Sequence, residues 1–190
     1  MEKKLDIQRF SGIVTVMILR VTILTSIYIT HLDIFGSNPL SSVGTDNRTA
    51  LIFSVGLISA SLTLLFFTQY LSRVYIVSKS FLIILIVGQI GQIIAALVHF
   101  GGEQPDRAIH SYAALTLAFS IPLALWRFAA AQTDPSIRRR AYLLFWVELA
   151  CFVIGIGVFS FVIKGAPIGQ IITALAFHAW IIYFSLRRQI

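Results

Sequence analysis

The stretch His99-Phe-Gly-Gly-Glu-Gln-Pro-Asp-Arg-Ala-Ile-His110 is a short polar segment between two long apolar runs, at about residues 76–99 and 110–131. Gly101, Gly102 and Pro105 predict a reversal of the chain, because Gly relaxes φ and Pro disfavours continuing a helix. The flanking runs then form an antiparallel helical hairpin, with His99 and His110 facing each other across the turn. Each run is close to the ~20 residues a helix needs to cross the hydrocarbon of a bilayer. The hairpin therefore belongs in a membrane, and its polar crown at the membrane surface.

The composition agrees. The chain has 190 residues, 57% hydrophobic and 12% charged, with a mean hydropathy of +0.86, whereas roughly a quarter of the residues of a soluble domain are charged. The single cysteine, Cys151, excludes an intramolecular disulfide framework and any Cys-based zinc or iron–sulfur site. The net charge of +7 does not point to nucleic acid, because the basic residues are spread over membrane-flanking positions and not gathered on one soluble face.

Six apolar runs can be drawn, at about residues 11–32, 49–70, 76–99, 110–131, 141–163 and 168–186. The first is too long for a signal peptide, carries Arg20 in its middle and lacks a small-residue cleavage site, so it reads as a membrane helix. Eleven Lys and Arg fall on the side of the termini, three (Arg48, Arg107 and Lys164) on the other, and Arg20 within the bilayer. By the positive-inside rule both termini are cytoplasmic. The expected fold is all-α: a six-transmembrane-helix bundle in the cell membrane, with residues 1–190 forming a single integral membrane domain. Short connections leave no room for a second domain. Gly56 with Ala60, Gly91 with Ala95, and Cys151 with Gly155 place small residues four apart, which lets helices approach closely in lipid. The Arg138-Arg139-Arg140 run either anchors the start of helix five or binds anionic head groups.

Two polar layers follow from this topology. The outer one holds His31, His99 and His110 together with the acids Asp33, Asp46, Glu103 and Asp106. Gln89, Gln92, Ala96 and His99 form one stripe of helix three, and His110, Ala113, Leu117, Ser120 and Ala124 one stripe of helix four. The deep layer holds Arg20, Glu148 and His178, all ~12 to 14 Å from the inner surface at 1.5 Å per residue. Ionisable groups at that depth cost ~2.5–3.5 kcal/mol each, so they should face inward and find partners. The expected pairing is Arg20 with Glu148, with His178 or Gln89 beside it. Arg20, Leu24, Ile27 and His31 share a helical face that would join the two layers.

Two functional classes fit these residues. In the first, a polar interior (Arg20, Gln89, Gln92, Glu148 and His178) opens to an outer vestibule that holds a membrane lipid without catalysis. In the second, His31, His99 and His110 with Asp33, Asp46, Glu103 or Asp106 bind zinc, whose bound water attacks outer-leaflet lipid head groups. The spacing matches no recognised metal motif, and a single outer haem is a weaker variant of the same idea. No phosphate loop, GxSxG elbow or hydrolytic triad is present. No cofactor is required by the sequence; zinc is the one the outer residues would suit. Membrane lipids are the expected partners, and a homo-oligomer or a membrane-protein partner stays open.

Six helices in under 200 residues, a first outer loop reading Asn38-Pro39-Leu40-Ser41-Ser42-Val43-Gly44, then Gly56-Leu57, then His110 with Ala113, Ala114 and Phe119, resemble the prokaryotic membrane proteins grouped as domain of unknown function 998. More distantly the chain is similar to the eukaryotic Frag1/DRAM/Sfk1 membrane proteins. There a Ser-Asp-x-Gly-like outer loop, a His opening helix four and an acid in helix five recur, and the resemblance carries these to Ser42–Gly44, His110 and Glu148. Val43 stands where an acid is expected, and Leu149 where an aromatic is. The resemblance implies a six-helix fold and a link to lipid and membrane homeostasis.

Overall fold

In lipid the backbone must satisfy its own hydrogen bonds, so the apolar runs have helix as their only open-chain solution. The computed structural model describes residues 2–98, 104–163 and 166–187. In order these are α1 (Glu2–Thr30), a 3₁₀ turn (Leu40–Thr45), α2 (Ala50–Val74), α3 (Lys79–Leu97), α4 (Asp106–Ala131), α5 (Pro135–Phe152), a π-helical continuation (Val153–Ile163) and α6 (Ala166–Leu186). Six helices are long and apolar enough to cross a membrane.

Helices start where capping chemistry puts them, which is not always where the apolar run begins. The expected start of helix five near residue 141 moves back to Pro135, because the Asp134 carboxylate accepts from the Ile137 N–H at 2.9 Å and Pro135 occupies the first turn. Ser78 caps α3 in the same way, accepting from the Phe81 N–H at 3.2 Å. The widening to a π-helix after Phe152 has no counterpart in the sequence reading.

Each helix packs on its neighbour in sequence, and α6 closes the ring on α1. Close approaches carry the ring: a Cβ at Gly91 would meet the Ala113 carbonyl of α4, one at Gly56 would meet Thr22 of α1, and one at Gly155 the backbone of Gly169 in α6. These are the crossings at which backbones can gain dispersion contact where no hydrophobic effect drives packing. The predicted stripe of α4 faces in: His110, Ala113, Ser120 and Ala124 are buried, as are Gln89, Gln92 and Ala96 of α3.

The two halves of the interior differ. Toward the chain termini, Phe67, Tyr75, Phe81, Phe128, Trp180 and Phe184 fill the centre. Their rings meet edge to face, Phe128 with Trp180 at 5.2 Å and 86°, and Tyr75 with Phe184 at 5.3 Å and 89°, the arrangement favoured by the ring quadrupoles. Toward the opposite end the interior is built of Ala, Thr, Gly and Leu, which leave space.

Candidate functional site

That space is a cavity of about 280 Å³ at the centre of the ring. On α4 its wall runs from His110 to Ile121, and on α6 from Gln170 to His178. At 1.5 Å per residue these spans are about 16 Å and about 12 Å, or about half of the ~30 Å hydrocarbon core. Most of the lining is aliphatic. The polar exceptions are Thr15, Ser41, Gln92, His110, Gln170, Thr173 and His178.

At its deep end, Arg20 Nε of α1 donates to His178 Nδ1 of α6 at 3.1 Å. Because Nδ1 accepts, the proton of this imidazole sits on Nε2. The expected partner, Glu148, is absent from this contact: its side chain is 0% exposed, and neither carboxylate oxygen has a hydrogen-bond partner among the described residues. The ring order explains the substitution of partners. Helix α6 stands between α5 and α1, so the imidazole on α6 meets the guanidinium first. Gln89 is likewise buried with its Oε1 unpartnered, while Gln92 Nε2 donates to the Leu57 carbonyl at 3.0 Å on the cavity wall.

Helix one does not join the deep and outer layers through Leu24 and His31. Leu24 is 63% exposed and His31 is exposed too. The face that turns inward instead carries Thr15, Thr22 and Ser26, and Thr15 donates to Thr63 of α2 at 2.8 Å. The signal was readable: small hydroxylated residues spaced seven and four apart on one face of an apolar helix pack against a neighbouring backbone.

The end of the cavity away from the chain termini is covered. The 3₁₀ turn lays Leu40 and Ser41 across it, held by the Leu40 N–H donating to Gln170 Oε1 at 2.8 Å and the Ile168 N–H donating to the Ile34 carbonyl at 3.0 Å. Gln170 was not among the sequence candidates; a lone amide in the first turn of an apolar helix was its only mark. His110 is buried under this cover, and its Nδ1 lies 2.6 Å from the Val98 carbonyl. A carbonyl can only accept, so here Nδ1 carries the proton, the opposite tautomer to His178.

On the side, Leu115 both lines the cavity and is 46% exposed on the outside of the bundle. Ile156 of the π-helical segment lines the same cavity. Pro122 has no amide to offer the carbonyl of Ala118, and Ala118 is also on the cavity wall.

The acids at the end of the bundle away from the chain termini have local duties. Asp33 accepts from the Phe35 N–H at 2.9 Å. Asp46 is clamped by Arg48 through Nε at 3.0 Å and Nη2 at 2.7 Å, and that guanidinium holds its carboxyl down at about 2. Asp106 sits exposed in the first turn of α4, where a helix dipole favours negative charge. His31 ends α1 in the left-handed region at φ 52°. Among the described residues no three His, Cys, Asp or Glu side chains gather as a metal-ligand group, so no three of His31, His110, Asp33, Asp46 and Asp106 do. His99 and Glu103 lie outside the described residues.

No protein-family model, curated protein or solved structure matches the chain.

Proposed function

We propose that this protein binds a membrane lipid non-catalytically, taking one acyl chain into the central cavity from the side, past Leu115. The observation that supports this most directly is the shape of the cavity: one leaflet deep, aliphatic along its length, covered at the aqueous end by Leu40 and reaching the lipid-facing surface at its side. A water-soluble ligand would need an opening through the 3₁₀ cover, whereas a lipid would need only to slide sideways. The head group would lie at the level of His110, Gln170 and Ser41: the Gln170 amide N–H and the Ser41 hydroxyl can donate to ester and phosphate oxygens, and His110 Nε2 can accept from a head-group O–H or N–H. The leaflet concerned is the one away from the chain termini, the outer leaflet in the expected orientation. The resemblance to membrane-homeostasis proteins points the same way.

The test is mass spectrometry of lipid extracted from protein purified in mild detergent, beside an unrelated membrane protein that sets the background. Ala174, on the cavity wall, is replaced by Phe to fill the space. A defined lipid near one per chain in the wild type, lost in Ala174→Phe with helicity and monodispersity kept, is the expected result. Background lipid alone in the wild type, or equal retention in the filled variant, overturns the reading.

A further inference from the structure

At the opposite end of the bundle from this cavity's cover lies a second concavity, of about 590 Å³, lined by Arg140, Ala179, Ile182, Tyr183, Leu186 and Arg187. Arg140 Nη1 donates to the Tyr183 hydroxyl oxygen at 2.9 Å, and Arg187 Nη1 to the same oxygen at 3.4 Å. Two guanidinium groups from α5 and the end of α6 are thus drawn to one neutral acceptor. Neither forms an ion pair with a described carboxylate; the ion pair of the described residues is Arg48–Asp46, at the other end of the molecule. Each guanidinium has five N–H donors, so most of the donor capacity at this spot is unspent by protein groups.

We propose that this groove binds the head group of an anionic phospholipid in the leaflet on the side of the chain termini, with the phosphate between Arg140 and Arg187 and an acyl chain along Ile182 and Leu186. Charge complementarity selects the anion, since like charges held together call for a negative partner, and Arg forks match phosphate oxygens bidentately. The floor selects a lipid over a free phosphate. Ile182 and Leu186 are exposed and line the same groove as the cations, an apolar surface that inorganic phosphate would leave unused. Arg138 and Arg139, exposed on the same turn of α5, add positive potential where the cytoplasmic leaflet is negative. The Arg138-Arg139-Arg140 run therefore has more than an anchoring role, and this proposal does not depend on the occupant of the central cavity.

Native mass spectrometry of the full chain tests it, with phosphatidylglycerol and phosphatidylcholine of identical acyl chains offered at equal concentration. The wild type should retain phosphatidylglycerol about fivefold or more over phosphatidylcholine, and Arg140→Gln with Arg187→Gln should bring the two to parity. Arg140→Lys with Arg187→Lys keeps the charge and should keep part of the preference. Added inorganic phosphate at millimolar concentration should leave the lipid bound. No head-group preference in the wild type overturns the proposal whether or not the variants fold. An unchanged preference in the folded Gln double variant also overturns it, as does displacement of the lipid by inorganic phosphate.

Discussion

Arg20 on α1 and His178 on α6 are joined by one hydrogen bond, 3.1 Å from Nε to Nδ1, at the deep end of the cavity. It ties the first helix to the last and so closes the six-helix ring at mid-depth. A partly buried cation stripped of its acceptor is costly, because a hydrogen bond to a charged group is worth ~1.5–3 kcal/mol. His178→Phe should lower thermal stability in detergent by that amount, while His178→Asn, whose carbonyl oxygen can stand in for Nδ1, should recover part of it. Equal melting of His178→Phe and wild type would show that the contact carries no stability.

Glu148 presents the reverse situation. Its two oxygens have no hydrogen-bond partner among the described residues, and the side chain is wholly buried. Replacing a buried unsatisfied group by an apolar one of similar shape is neutral or stabilising. Glu148→Leu should therefore melt at or above the wild-type temperature, by up to ~2 kcal/mol. A clear loss of stability would mean that the carboxyl holds a group in the membrane-embedded protein that a Leu cannot.

Gln170 secures the cover of the cavity through the Leu40 N–H. Gln170→Leu removes that single acceptor, and the local cost should be ~1 kcal/mol. The effect is expected in the loop and not in the bundle: hydrogen exchange at residues 40–45 should rise while global melting hardly moves. Protection unchanged at Leu40 would place the hold on the cover elsewhere, with the Ile168 N–H and the Ile34 carbonyl as the next contact to break.

The Asp46 carboxyl, in the loop between α1 and α2, is held down at about 2 from its ordinary 3.8 by the Arg48 guanidinium. A depressed carboxyl stabilises the folded loop above its unfolded value and loses that contribution as pH falls through the folded one. The contribution should be complete above about pH 4 and should vanish toward pH 2. Site-specific carbon NMR of Asp46 should show the low titration in the wild type and a return toward 3.8 in Arg48→Gln; titration near 3.8 in both would disprove the clamp.

The membrane class, the number of helices and the inward stripes of α3 and α4 were legible in the chain, because hydrophobicity over ~20 residues and a period of 3.6 are local properties that lipid enforces on any backbone. The polar residues of the deep layer were legible as residues: Arg20, Glu148 and His178 stood out by charge alone. Their partners were not. Which of two groups meets Arg20 depends on which helix stands beside α1, and that is decided by close contacts such as Gly56 on Thr22 and Gly155 on Gly169, whose effect on ring order no single segment encodes.

The cavity belongs wholly to tertiary structure. Ala118, Ala174 and Thr15 are unremarkable in sequence, and they bound a space only because bulky aromatics from four segments occupy the other half of the bundle and hold the helices apart. The convergence of Arg140 and Arg187 on Tyr183 has the same origin, since residues 43 and 4 positions away from that phenol reach it from two helices. Sequence alone determined the solvent and the secondary structure through the free energy of burying polar backbone in lipid. Side-chain shape at the helix crossings, summed over the whole ring, decided where a ligand could fit.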